Sequence, residues 1–173
     1  MAYRNKTYVA FASEDLKSYN LMKAWKANAH IDFNFLDAHD INVALDTSKP
    51  DTIRTRLKER LANTKQSIVL IGDVTKTKAS NSKSFLYYEI EVIQKLKLPV
   101  VFVNLDQART VLSAKLPTKL AGDYYTMSVS FQPKIVMIAL DDYVAKFQNN
   151  STQKIPKVGA HLYKAQVYKD NGL

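Results

Sequence analysis

The sequence predicts an α/β fold in which helices cover both faces of a mainly parallel sheet of five strands. Short β-branched or aromatic runs alternate with longer segments of helical period, as in chains built from repeated strand and crossover-helix units. Two of the runs, residues 67–71 and 99–103, are almost wholly apolar, which is typical of strands buried on both faces. With 173 residues, the chain is long enough for one such domain.

Each element can be assigned from its local pattern. Strands are expected where β-branched and aromatic residues cluster, at 7–11, 31–36, 67–71, 99–103 and 124–129. Helices are expected in the intervals, at 15–29, 51–63, 84–97, 106–115 and 133–147. The second helix carries Ile53, Leu57 and Leu61 on one face, and the last follows Ser130 as a cap and has a proline in its first turn.

Right-handed crossovers through these units give a three-layer, flavodoxin-like sheet of strand order 2-1-3-4-5. The order reverses between the first and third strands, and sheets of this kind bind ligands at such a switch point. We therefore expect a crevice there, lined by residues 12–15, by residues 72–75 and by the start of the third helix.

The chain changes character near residue 149. Residues 149–153 are polar and irregular, and the remainder is basic with a few apolar positions such as Val158 and Tyr168. We divide the chain into a domain at 1–148 and a C-terminal tail or accessory segment at 149–173, which we expect to form a strand pair or a partner-binding arm.

The charge balance, 25 Lys and Arg against 16 Asp and Glu, gives a net charge of +9. The basic residues alternate with acidic ones along the predicted helices, as on ordinary solvated faces, and this disfavours nucleic acid as a partner. The longest apolar run, residues 135–140, is too short to cross a bilayer. Because the N-terminus carries no export signal either, we expect a cytoplasmic protein without a membrane partner.

Several kinds of chemistry are excluded by composition. Cysteine is absent, which removes disulfides, thiol nucleophiles and thiolate zinc sites. The four glycines cannot form a P-loop or a GxGxxG turn, and no GxSxG elbow is present. The histidines at 30, 39 and 161 lack a partner at metal-ligand spacing, so we expect no metal site.

The most informative segment is the third helix. At about 100° per residue, Glu89 falls at the centre of the apolar face defined by Phe85, Val92 and Ile93, whereas Glu91 falls on the opposite, solvated side. A carboxylate among apolar side chains needs a partner, a raised pKa or a water-filled cleft. Glu89 is therefore either a structural buried glutamate or a functional group at the crevice.

Residues 85–89, Phe-Leu-Tyr-Tyr-Glu, match the WxxxE motif that TIR enzymes carry on this helix, with Phe85 in place of Trp. Residues 8–11, 35–40, 70–76 and 99–104 are similar to the first four TIR strands and the turns that follow them. The chain thus resembles the TIR-like family over residues 6–147, specifically the NAD-cleaving TIR-like subunit of Thoeris antiphage defence systems.

The resemblance implies that Glu89 is the catalytic residue of NAD+ cleavage. NAD+ would be the substrate, with no further cofactor, and the product would be a cyclic ADP-ribose-type messenger that activates a separate effector. TIR enzymes commonly act as assemblies, so a homo-oligomer is expected.

The remaining candidates bind substrate. Phe11 and Phe85 would pack against a flat base or the ribose, and Ser13, Asp37 and His39 would hydrogen-bond ribose or phosphate. The sequence departs from the family at Ala10, where many relatives carry a small hydroxyl residue, and at Phe85.

Two alternatives stay open. The first is a non-enzymatic TIR-like module that works by assembly, which the basic surface and the tail would suit. The second is a receiver-like phosphoacceptor domain with Glu14, Asp15 and Asp73 as its acidic cluster, although the lysine that such a domain needs after the fifth strand is replaced by Val129-Ser130-Phe131.

Overall fold

The computed structural model describes residues 6–37 and 49–173. In this part of the chain one sheet has the strand order β2-β1-β3-β4-β5-β6, and every neighbouring pair is parallel. Its strands are β1 (Lys6–Ala10), β2 (Leu36–Asp37), β3 (Gln66–Ile71), β4 (Val100–Asn104), β5 (Thr126–Ser130) and β6 (Ala160–Leu162). The predicted fold class and the order 2-1-3-4-5 are confirmed, and a sixth strand extends the sheet beyond β5.

The helices connect these strands on both faces. They are α1 (Leu16–Ala27), α2 (Pro50–Leu61), α3 (Thr75–Ser80), α4 (Phe85–Lys95), α5 (Thr118–Ala121), α6 (Pro133–Asn150) and α7 (Ala165–Asp170). A short 3-10 turn at Ser13–Asp15 leads into α1. The long predicted helices correspond to α1, α2, α4 and α6, with ends that differ by a few residues.

Three local predictions were wrong. Within the described residues the second strand is Leu36–Asp37, and residues 31–35 are not part of it. Residues 106–115 form a loop and not a helix, because the buried Asn104 amide donates hydrogen bonds to the carbonyls of Ala108 and Thr110 and holds the chain in a turn. Ser130 ends β5, and Gln132 is the N-cap of α6.

Two apolar layers flank the sheet. One layer packs Val9, Ile68 and Val101 against α1 and α6, and the other packs alternate strand residues, such as Tyr8 and Val69, against the group formed by α2, α3, α4 and α5. This alternation places successive residues of β1 on opposite faces, so that Tyr8 faces α4 while Val9 faces α1. The three-layer arrangement thus fixes which β1 side chains can reach the helix that carries Glu89.

The tail is joined to the sheet. Its strand β6 pairs with β5 in the register Thr126 to Ala160, and α7 brings Tyr168 into the apolar layer beside α6. The Tyr168 hydroxyl accepts a hydrogen bond from the Ser130 main-chain N–H at 3.3 Å. Within the described residues, no helix is long and apolar enough to cross a membrane.

Candidate functional site

Glu89 lies in the second turn of α4 and is only 1% exposed. The same face of the helix buries Leu86, Val92 and Ile93 against the sheet. The helical period therefore located Glu89 on the buried face. A carboxyl group in such surroundings carries a large desolvation cost when it ionises, unless neighbouring groups compensate.

Two described groups compensate part of that cost. The Tyr8 hydroxyl, from the middle of β1, donates a hydrogen bond of 2.6 Å to Glu89 Oε1, and both side chains are buried. Burial raises the pKa of Glu89 to about 8, although the Tyr8 hydrogen bond and the positive charge of Arg60 act to lower it. Glu89 is therefore a carboxyl group whose charge changes near neutral pH, which is the range that acid–base and electrostatic catalysis exploit.

Glu91 lies on the same helix as Glu89 but differs from it in its charged partners and in the direction of its pKa shift. Its carboxylate accepts hydrogen bonds from Arg54 at 2.8 Å and from Lys95 at 3.1 Å. Burial acts to raise the pKa of Glu91, but these two cations outweigh it and the pKa is lowered. The sequence placed Glu91 on the solvated side, and the structure shows it instead in an ion pair that links α4 to α2.

The two aromatic candidates lie on different faces of the sheet. Phe85 begins α4, one turn before Glu89, and its half-buried ring packs against the same apolar layer. Phe11 follows β1 and stacks on Tyr19 of α1, with ring centroids 4.7 Å apart, so it belongs to the opposite layer. The structure thus brings Phe85, and not Phe11, into the apolar layer of Glu89.

The polar candidates fall around the end of β1 and β2. Ser13 is exposed in the 3-10 turn, where its hydroxyl donates to the Glu14 carboxylate at 3.1 Å. Asp37 is the last residue of β2, which pairs with β1 through Thr7. His39 lies outside the described residues.

At the predicted switch point, between the ends of β1 and β3, the turn after β3 is built around Gly72. The Thr75 hydroxyl accepts from the Gly72 N–H at 2.9 Å and donates to the Leu70 carbonyl at 3.1 Å, which closes the turn after β3. A Cβ atom on Gly72 would lie 2.5 Å from Asp15 Oδ2, so a larger residue there would displace the Asp15 carboxylate. Burial, together with the charges of Glu14 and Asp73, raises the pKa of Asp15.

Two lysines neutralise the other acids at this edge of the sheet. Lys78 of α3 contacts Glu14 at 2.7 Å, and Lys115 contacts Asp73 at 2.8 Å. The sequence did not identify Lys115 as a partner, because it was assigned to a helix that does not form. Among the described residues, no cluster of three or more histidine, aspartate or glutamate side chains could hold a metal ion.

Tyr8 is the site residue that the sequence missed. The alternation along β1 could have placed Tyr8 on the same face as Ala10 and Ala12, but not opposite a particular helical residue. Its partner is 81 residues away in sequence, and the contact depends on how α4 settles on the sheet.

The parallel α/β sheet and the buried, hydrogen-bonded glutamate of α4 agree with the resemblance to TIR-like domains. The family model described as the Thoeris protein ThsB, TIR-like domain, matches residues 8–110, which is more than half of the chain. The chain therefore belongs to the TIR-like domain family of the Thoeris protein ThsB. This membership supports a signalling role in Thoeris antiphage defence.

Proposed function

We propose that this protein cleaves the nicotinamide–ribosyl bond of NAD+ and releases a cyclic ADP-ribose-type messenger that activates a separate effector. The observation that carries the proposal is the environment of Glu89. A carboxyl group that is buried, hydrogen-bonded to Tyr8 and poised to ionise near neutral pH occupies the helix position that the family resemblance assigns to catalysis.

The chemistry requires no metal or additional cofactor. The C1′–N bond of the ribose breaks, its electron pair neutralises the pyridinium, and nicotinamide leaves. The remaining oxocarbenium-like centre is stabilised by the ionised carboxylate of Glu89, as a carboxylate does in glycoside hydrolysis. Capture by water gives ADP-ribose and one proton, whereas capture by a hydroxyl group of the same molecule gives a cyclic product and one proton.

Access to Glu89 is part of the proposal. A side chain that is 1% exposed touches a ribose only after local rearrangement around it. We therefore expect the isolated chain to turn over slowly and to become active when assembly or a phage-derived trigger opens the site. Phe85, one turn away and half-buried, would meet the ribose or base once the site opens.

The test is incubation of the purified protein with NAD+, with and without a crowding agent or infected-cell lysate, while nicotinamide release and product mass are followed. Glu89→Gln removes the charge and should abolish turnover. Glu91→Gln is the matched control, since it changes an acid two residues away that pairs with Arg54, and it should retain turnover. Circular dichroism checks that both variants are folded. Equal activity of wild type and Glu89→Gln would refute the proposal.

The second candidate is a non-enzymatic assembly module. The near-complete burial of Glu89 favours it, because a glutamate with a purely structural role would also be enclosed and hydrogen-bonded. The two candidates differ in what Glu89→Gln does to antiphage protection in cells. An enzyme loses protection while its oligomeric state is kept, whereas a module keeps both.

A further inference from the structure

The Tyr8 side chain is held in place by the packing around it. Tyr8 is fully buried in an interior strand of the sheet, in register with Ser67 of β3. Its ring packs in the apolar layer that also contains Leu57 and Leu61 of α2. Because the ring is enclosed, its hydroxyl oxygen has a fixed position, 2.6 Å from Glu89 Oε1.

The hydroxyl group acts on the charge of Glu89. A hydrogen bond donated to a carboxylate stabilises the ionised form, and it is stronger than a bond between neutral groups. Arg60 of α2 acts in the same direction through its charge, and burial opposes both. The Tyr8 hydrogen bond therefore favours the ionised form of Glu89 against the effect of burial.

Four other cationic side chains on α4 and the helices around it have partners of their own. Those contacts are Arg54 and Lys95 with Glu91, Lys78 with Glu14, and Lys119 over the ring of Tyr87. Tyr8 from β1 and Arg60 from α2 act on the charge of Glu89.

We propose that Tyr8 is a positioning residue for the reaction, whose hydroxyl group orients the Glu89 carboxylate and favours its ionised form. The role in turnover rests on the proposed cleavage of NAD+. Tyr8 itself need not touch the substrate, because it works through Glu89.

The test is the pH profile of kcat/KM for Tyr8→Phe beside the wild type. Loss of the hydrogen bond raises the pKa of Glu89, so less carboxylate is ionised at neutral pH. A charged hydrogen bond is large enough to lower kcat/KM by about tenfold below pH 8. The two profiles should converge in alkaline solution, where Glu89 is ionised in both proteins. A constant ratio across the whole pH range would overturn the proposal.

Tyr143→Phe is the matched control. Tyr143 is another fully buried tyrosine, and its hydroxyl group donates to the Tyr125 carbonyl in the opposite apolar layer. Removing that hydroxyl costs stability without reaching Glu89, so the pH profile should stay where it is. A shift of equal size in Tyr143→Phe would show a general structural effect and overturn the role assigned to Tyr8.

A measurement without substrate separates this proposal from the proposed function. Infrared titration of the Glu89 carboxyl band, identified by its loss in Glu89→Gln, should show a higher midpoint in Tyr8→Phe. A fluorinated tyrosine at position 8 is a stronger hydrogen-bond donor and should lower the midpoint. This substitution takes the place of Tyr8→Phe if Tyr8→Phe does not fold. An unmoved midpoint overturns the proposal even if NAD+ is cleaved. If the titration midpoint of Glu89 moves but NAD+ is not cleaved, the effect of Tyr8 on the ionisation of Glu89 is supported and only the enzymatic function is refuted.

Discussion

Replacing Glu89 by glutamine should stabilise the protein at neutral pH and leave its stability unchanged in mild acid. The pKa of Glu89 rises from 4.5 in the unfolded chain to about 8 in the folded protein, because burial disfavours the charge. Between these values the folded state holds more protons than the unfolded state, so the free energy of unfolding falls as the pH rises. The loss begins near pH 4.5 and is complete above pH 8. A glutamine at this position has no such dependence.

The magnitude follows from the same two values. Each pH unit between them costs about 1.4 kcal/mol of unfolding free energy, so the wild type loses about 3 kcal/mol by pH 7. Because the side chain is almost completely enclosed, solvent screening does not reduce this figure much. Glutamine has nearly the same shape and can still accept the Tyr8 hydrogen bond, so packing should change little.

The assay is urea unfolding of the wild type and Glu89→Gln at pH 5 and pH 7, followed by circular dichroism. The variant should gain about 3 kcal/mol over the wild type at pH 7 and much less at pH 5. Glu91→Gln should behave in the opposite way, since its lowered pKa makes the ionised form stabilising above the unfolded value. If the difference between Glu89→Gln and the wild type were the same at both pH values, the assignment of a raised pKa to Glu89 would be wrong.

Two further substitutions test the framework around the site. Gly72→Ala should lower the unfolding free energy measured by urea denaturation by about 1–3 kcal/mol, since its Cβ would meet the Asp15 carboxylate. Tyr168→Ala should cost about 3 kcal/mol by opening a cavity beside α6, and Leu162→Ala, at a side chain 42% exposed, should change stability by less than about 0.5 kcal/mol. Equal melting of the last two variants would show that α7 does not stabilise the fold.

The order of the first five strands could be predicted because β1, β3, β4 and β5 each lie in a local β-branched or aromatic run, and crossover handedness leaves few arrangements. The loop at 106–115 could not, because the amide of Asn104 holds it through contacts that no helical period reveals. The strand β6 is three residues long, too short for an alternating pattern to be seen. Such short elements form because the sheet is already present to receive them.

The candidate site was predictable to the same extent. Helical periodicity and the motif at 85–89 both selected Glu89, because its position depends only on its own helix. The hydrogen bond to Tyr8 could not be predicted from the sequence, because it depends on how α4 packs on β1, and the two residues are 81 positions apart. The ion pair of Glu91 with Arg54 could not be predicted for the same reason, because Arg54 lies on α2 and the helical projection describes α4 alone.

The short strand β6 bears on how copies of this protein can associate. This strand forms the edge of the sheet beyond β5 and has three residues. Such a brief edge offers too few main-chain donors and acceptors to template a neighbouring chain, which is how many β-containing proteins limit edge-to-edge association. Contacts between copies on this side of the sheet should therefore depend on side chains of the surrounding helices and loops.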